Sequence, residues 1–220
     1  PTTGTYNTKD AGTSKTVSVS GMNITSVTSS TGKSVYGYQV ASSNVSGAVG
    51  VINKATLTVA ANNQSMTYGG TLPTLTETVT GYVNGETSSV IGGTPTATTS
   101  ASSTTNAGTA TITSSVSGLT ATNYNFVTGS NAILTINKAN LTVTGTSSPS
   151  KTYDGTDAAS IRGGTLVGIQ NGDSITLTQG GTYSSVNAGN NISITMTDSI
   201  SGSKATNYNI VQPTVTGTIN

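Results

Sequence analysis

The sequence predicts a mainly β chain of tandem small antiparallel domains. Three observations carry this: a period-two alternation of apolar and hydroxyl residues, an internal repeat at an offset of 84 residues, and no long stretch with helical spacing. The alternation runs through Thr16-Val17-Ser18-Val19-Ser20, Ala110-Thr111-Ile112-Thr113, Ser174-Ile175-Thr176-Leu177-Thr178 and Ile192-Ser193-Ile194-Thr195-Met196-Thr197. It puts apolar side chains on one face and hydroxyls on the other, as a half-buried strand requires. Thr and Val also suit the pleat through their branched Cβ.

The repeat orders the elements. Ile52-Asn53-Lys54-Ala55-Thr56-Leu57-Thr58-Val59 recurs as Ile136-Asn137-Lys138-Ala139-Asn140-Leu141-Thr142-Val143. Ala121-Thr122-Asn123-Tyr124-Asn125 recurs as Ala205-Thr206-Asn207-Tyr208-Asn209, and Asn106-Ala107-Gly108 is answered by Asn187-Ala188-Gly189. Gly81-Tyr82-Val83-Asn84-Gly85-Glu86 is answered by Gly168-Ile169-Gln170-Asn171-Gly172-Asp173. Residues 1–53 read as the back half of the same unit, because Gly4-Thr5-Tyr6 with Asp10-Ala11-Gly12 matches Gly181-Thr182-Tyr183 with Asn187-Ala188-Gly189. The chain therefore holds half a unit, 1–53, then two whole ones, 54–137 and 138–220.

Within each unit, Gly and Asn punctuate the alternating runs at strand-and-turn spacing. Asn84-Gly85 and Asn171-Gly172 are the strongest tight-turn dipeptides. A short helix is conceivable after each, at 86–91 or 173–177, although the second alternates better as a strand. An immunoglobulin-like sandwich suits this pattern. A β-grasp-like sheet with one short helix is the alternative. Between Leu134-Thr135-Ile136 and Leu141-Thr142-Val143 only Asn137 to Asn140 intervene. So short a polar connection leaves little room for a hinge, and the units are expected to stack as a semi-rigid rod, each contacting its neighbours.

Composition excludes much chemistry. The 220 residues carry 8 basic and 7 acidic side chains, and no His, Cys or Trp. Charged residues are 7% of the chain, against about 25% in ordinary soluble domains. With net charge +1 there is no electrostatic footprint for nucleic acid. No apolar run approaches the ~18 residues of a membrane span. Most catalytic triads, zinc sites and thiol chemistries need residues that are missing. The start at Pro1, with neither Met nor signal peptide, reads as a fragment of a longer chain.

The remaining candidates are few. The seven acids are Asp10, Glu77, Glu86, Asp154, Asp157, Asp173 and Asp198, and nothing in their spacing suggests the paired carboxylates of a hydrolase. They read as surface groups near turns, so no catalytic residue and no cofactor is expected. Asp154 and Asp157, in Asp154-Gly155-Thr156-Asp157, are calcium candidates by loop chemistry, but lack the third acid and closing Glu of an EF-hand loop. Tyr68 and Tyr153 are candidates for stacking on a sugar ring, against the plainer reading of tyrosines as core filler with a bonded hydroxyl. Pairs such as Thr56/Thr58 and Thr195/Thr197 read as solvent-facing strand positions.

Lys151-Thr152-Tyr153-Asp154-Gly155-Thr156-Asp157-Ala158, followed by Asn171-Gly172-Asp173, Asn187-Ala188-Gly189 and Ala205-Thr206-Asn207-Tyr208, resembles the YDG repeat of large filamentous-haemagglutinin-like adhesins. Met66-Thr67-Tyr68-Gly69-Gly70-Thr71-Leu72-Pro73, with Asn84-Gly85-Glu86 and Asn123-Tyr124, is similar to the companion MBG repeat of Tyr-Gly type. Residues 1–53 resemble the tail of another YDG-type unit, with Tyr36-Gly37-Tyr38 departing from the usual Asn-Tyr.

The resemblance implies a non-catalytic stalk in a large secreted bacterial surface protein, commonly of a Gram-negative two-partner or autotransporter system. Its expected partners are host-surface or biofilm glycans and the neighbouring repeats of the same chain, with no nucleic acid and no membrane insertion. Cysteine-free, low-charge β units fit such a role, since they can cross an outer membrane unfolded and refold outside without disulfide chemistry.

Overall fold

A computed structural model describes residues 3–220. Strands in small sheets dominate, and the helical elements among the described residues are two three-residue 3-10 turns, Ser88–Val90 and Ala205–Asn207. The chain forms two compact units. The first holds the chain up to Val59 with Thr78–Pro95 and Ser115–Gly129; the second holds Ala60–Glu77, Thr96–Ser114 and Ser130–Asn220.

In the first unit, strands Thr5–Tyr6, Gly12–Val19 and Val45–Ile52 form an antiparallel sheet in that order. Thr5 faces Ser18 and Val17 faces Gly47, with the register slipping on either side of Lys15. Strand Ala55–Ala61 runs parallel to Tyr124–Thr128 with Leu57 opposite Phe126. Leu57 and Val59 are fully buried, Thr56 before them is exposed and Thr58 between them is half-buried. That is the outcome expected of an alternating Thr and apolar run.

The second unit is built the same way. Ala132–Asn137 pairs antiparallel with Gly108–Ser115 and parallel with Gln64–Thr67. Ala139–Thr144 pairs antiparallel with Thr165–Val167 and parallel with Tyr208–Val211. Both Ala132–Asn137 and Ala139–Thr144 alternate strictly between buried and exposed. Leu134, Ile136 and Leu141 thereby join Met66, Tyr68, Ile112 and Tyr208 in one core cluster. Tyr183, Ile194, Met196, Val215 and Ile219 form a second, smaller cluster.

The mainly β organisation in small sheets is as expected. Parallel pairs accompany the antiparallel ones, and they recur: Ala55 faces Tyr124 and Ala139 faces Tyr208, two pairings 84 residues apart. Parallel strands need a long crossover. Here the whole body of the repeat, from its first strand to its Asn-Tyr segment, supplies it.

Asn84 and Gly85 have φ of 55° and 70°, and Asn171 and Gly172 have 52° and 70°. Two successive positive φ values define the primed turn that Asn-Gly favours. The Glu86 N–H closes the first turn onto the Val83 carbonyl at 3.0 Å, and Asp173 N–H closes the second onto Gln170 at 2.9 Å. A short helix does not follow either turn. Ser88–Val90 is a single 3-10 turn, and Thr176–Thr178 is a strand paired with Ser199–Ser201.

Gly81 and Gly168 precede these turns with φ of 104° and 103°. A Cβ at Gly81 would lie 2.4 Å from the Thr56 carbonyl oxygen, and one at Gly168 would lie 2.9 Å from that of Asn140. Only glycine lets the chain leave the sheet this close to the repeat's first strand.

Candidate functional site

Two hydrogen-bonded clasps recur, one set in each compact unit. The first joins a tyrosine to the acid after an Asn-Gly turn. In the first unit, Tyr124 Oη donates to Glu86 Oε2 at 2.6 Å and accepts from the Val83 N–H at 3.1 Å. In the second, Tyr208 Oη donates to Asp173 Oδ2 at 2.7 Å and accepts from the Gln170 N–H at 3.0 Å. The primed turn aims the acid and the N–H at one hydroxyl. A phenol both donates and accepts, so it is matched on both sides.

Asp173 carries a second partner. Tyr68 Oη donates to the same Oδ2 at 2.9 Å, and the Tyr68 ring meets the Tyr208 ring edge-on with centroids 5.5 Å apart. The edge-to-face arrangement is a favoured aromatic geometry. In the first unit, Tyr82 packs edge-on against Tyr124 at 6.2 Å, and Lys9 stands 3.6 Å from Glu86. The Lys9 side chain is largely in water, so that pair adds little stability.

These contacts favour the protonated phenol at Tyr208 and at Tyr124. Burial, and next the hydrogen bond to Asp173, push Tyr208 up to about 12. The hydrogen bond to Glu86 is the main cause of a rise at Tyr124. A tyrosine in an unfolded chain ionises near pH 10. Below that pH Tyr208 is protonated in both states and its contribution is complete. Between about 10 and 12 the unfolded chain alone releases the proton, so stability is expected to fall across that window. Denaturant midpoints measured by circular dichroism from pH 9 to 12 check this, and Tyr208→Phe is expected to make the decline shallower. An unchanged slope in that variant contradicts the assignment.

The second clasp joins an asparagine to the tripeptide before a long strand. In the first unit, the Ala11 N–H donates to Asn123 Oδ1 at 2.8 Å, and Asn123 Nδ2 donates to Asp10 Oδ1 at 3.1 Å. In the second, the Ala107 N–H donates to Asn207 Oδ1 at 2.9 Å, and Asn207 Nδ2 donates to Asn106 Oδ1 at 3.1 Å. The carboxamide is suited because it offers an acceptor and a donor in one plane. Asn123 is also the first cause of the lowered pKa of Asp10, with Thr8 next. Lys204 adds a hydrogen bond to Asn106 Oδ1 at 2.9 Å.

The residues singled out from sequence are scattered. Asp154 Oδ1 accepts from the Thr156 N–H at 2.9 Å and its hydroxyl at 2.8 Å, and pairs with Lys151 Nζ at 2.7 Å. These contacts, that with Lys151 first, hold Asp154 down at about 2. The Asp157 side chain is exposed, while its carbonyl accepts from the Tyr183 N–H at 2.7 Å. No group of three or more His, Cys, Asp or Glu is placed to hold a metal ion among the described residues. Tyr68 is 2% exposed and belongs to the core, whereas Tyr153 is 55% exposed.

Glu86 and Asp173, expected to be surface carboxylates near turns, are instead the acceptors of the tyrosine clasps. A signal was available in the sequence, because each acid recurs after Asn-Gly in step with an Asn-Tyr about 40 residues later. Open clefts lie in the first unit, two of them relevant to these side chains. One of about 350 Å³ is walled by Lys9, Asp10, Glu86, Val90, Asn123 and Tyr124, beside both clasps. The other, about 390 Å³, is walled by residues 24–28 and 34–38, among them Tyr36 and Tyr38.

No curated protein and no solved structure matches the chain. Family models do. The MBG domain (YGX type) matches residues 57–135 and the YDG domain matches residues 137–216, so the two full repeats are matched one to each family.

Proposed function

We propose that this chain is a non-catalytic repeat region of a large secreted bacterial surface adhesin, acting as a stalk that spaces a distal binding region from the cell. One observation carries the reading: the side chains that recur from repeat to repeat are spent on the two clasps. Asn123 and Asn207, Tyr124 and Tyr208, and Glu86 and Asp173 all have hydrogen-bond partners within the fold, Glu86, Asn123 and Tyr124 even where they wall the 350 Å³ cleft. Recurrence here serves mechanical continuity. The match to MBG and YDG domains supports a module of tandem arrays, and the cysteine-free, weakly charged composition suits export to the cell surface of a Gram-negative bacterium.

A second reading, that the repeats themselves bind a host or biofilm glycan, is favoured by Tyr36 and Tyr38. They are 89% and 66% exposed on the wall of the 390 Å³ cleft, and exposed phenol rings stack well on sugars. A tethering module of a larger exported enzyme is a third reading. A glycan array probed with the 220-residue chain separates the first two. The stalk reading expects no reproducible binding. Binding that is lost in Tyr36→Ala and Tyr38→Ala variants overturns it.

A further inference from the structure

Three copies of one tripeptide stand before a long strand: Asp10-Ala11-Gly12, Asn106-Ala107-Gly108 and Asn187-Ala188-Gly189. The strands are Gly12–Val19, Gly108–Ser115 and Gly189–Met196. Two of the three copies are filled by an asparagine from the repeat that follows, through the same pair of hydrogen bonds, in separate compact units. Ala11 and Ala107 are half-buried by this contact, and Ala188 is exposed.

A second position behaves in the same way. Tyr68 and Tyr153 are equivalent, because the N–H of each donates at 2.8 Å to the carbonyl of an asparagine, Asn137 for Tyr68 and Asn220 for Tyr153. Tyr68 is buried by the following repeat, its hydroxyl on Asp173 and its ring against Tyr208. Tyr153 has no such cover, and its ring is mostly in water. The two equivalences locate the same face of a repeat. In the second unit Asn106, Ala107 and Tyr68 present it, and Asn207, Tyr208 and Asp173 cover it.

From this geometry we infer that Asn187-Ala188-Gly189 with Tyr153 is a docking face for a further repeat joined in tandem after Asn220. The partner's chemistry is set by the occupied face. It carries an Ala-Thr-Asn-Tyr segment whose carboxamide takes the Ala188 N–H and bonds back to Asn187, and an Asn-Gly turn whose acid takes the Tyr153 hydroxyl. The connection is also defined. Asn137 passes through Lys138 alone into the strand Ala139–Thr144, and Asn220 occupies the equivalent place.

The inference rests on the junction geometry and stands whether or not the chain is a spacer. Glycan binding would overturn that reading and leave this one untouched. The test is the 220-residue chain extended by a copy of residues 54–137. Amide hydrogen exchange at Ala188 is expected to slow about tenfold or more and approach that of Ala107, the filled site in the same molecule. Exchange at Ala188 is expected to become fast again when the asparagine of the added copy that answers Asn123 is replaced by Ala, with the added strands still protected. Fast exchange at Ala188 beside a folded added repeat overturns the inference. If that copy does not fold, a segmentally labelled copy of residues 138–220 takes its place, and unchanged exchange in both chains overturns it equally.

Discussion

Asn207→Ala is expected to lower the stability of the second unit by about 2–4 kcal/mol. The carboxamide is 1% exposed and makes one bond to the Ala107 N–H and one to Asn106 Oδ1. Each bond contributes roughly 0.5–1.5 kcal/mol net, and an N–H left without its partner costs about 1–3 kcal/mol more. Asn207→Asp separates the two bonds. It keeps an acceptor for Ala107, sets a carboxylate against Asn106 Oδ1, and is expected to cost less than Ala because Lys204 stands at the same oxygen. Urea unfolding followed by circular dichroism measures both. A loss within the ~0.5 kcal/mol of ordinary surface changes would show that the clasp does not couple the repeats.

Asp173→Ala is expected to cost about 2–4 kcal/mol in the same unit. Its Oδ2 is the shared acceptor of two buried hydroxyls, Tyr68 and Tyr208. Hydrogen bonds to a charged group contribute roughly 1.5–3 kcal/mol each. Part is recovered at Tyr208, whose hydroxyl also lies 3.2 Å from the Gln170 carbonyl. Tyr68 has no such second acceptor in its clasp. Asp173→Asn retains an acceptor without the charge and is expected to fall about halfway. Removing both partners is informative, because matched apolar groups can be nearly neutral. Tyr68→Phe is therefore expected to cost less in the Asp173→Ala background than in the native chain. Equal costs in the two backgrounds would mean that the hydroxyl and the carboxylate are not coupled.

Much of the fold was legible because its signals are local. Strict alternation along Ala132–Asn137 and Ala139–Thr144 names the buried set Leu134, Ile136 and Leu141 residue by residue. Positive φ at Asn84-Gly85 and Asn171-Gly172 follows from the dipeptide itself. The parallel pairing of Ala55–Ala61 with Tyr124–Thr128 was not legible, since alternation has the same period in either sense of pairing. Nor was the fate of the tyrosines. Tyr68 and Tyr153 sit in like local sequences, yet one is core and the other is exposed, because a following repeat covers the first.

By itself, the sequence determined that this protein is a β chain with repeating landmarks, few charges and neither His nor Cys. Period, turn dipeptides and residue counts are properties of neighbours along the chain, so they need no coordinates. What the landmarks are for was decided only in the tertiary structure. A carboxamide and a tripeptide N–H about 100 residues away, or a phenol and a turn carboxylate about 40 away, leave no joint trace in local pattern. The second pair meets inside one repeat, and the first meets across the packed junction between two. There the absence of water makes an unmatched hydroxyl or N–H costly enough to hold one repeat to the next.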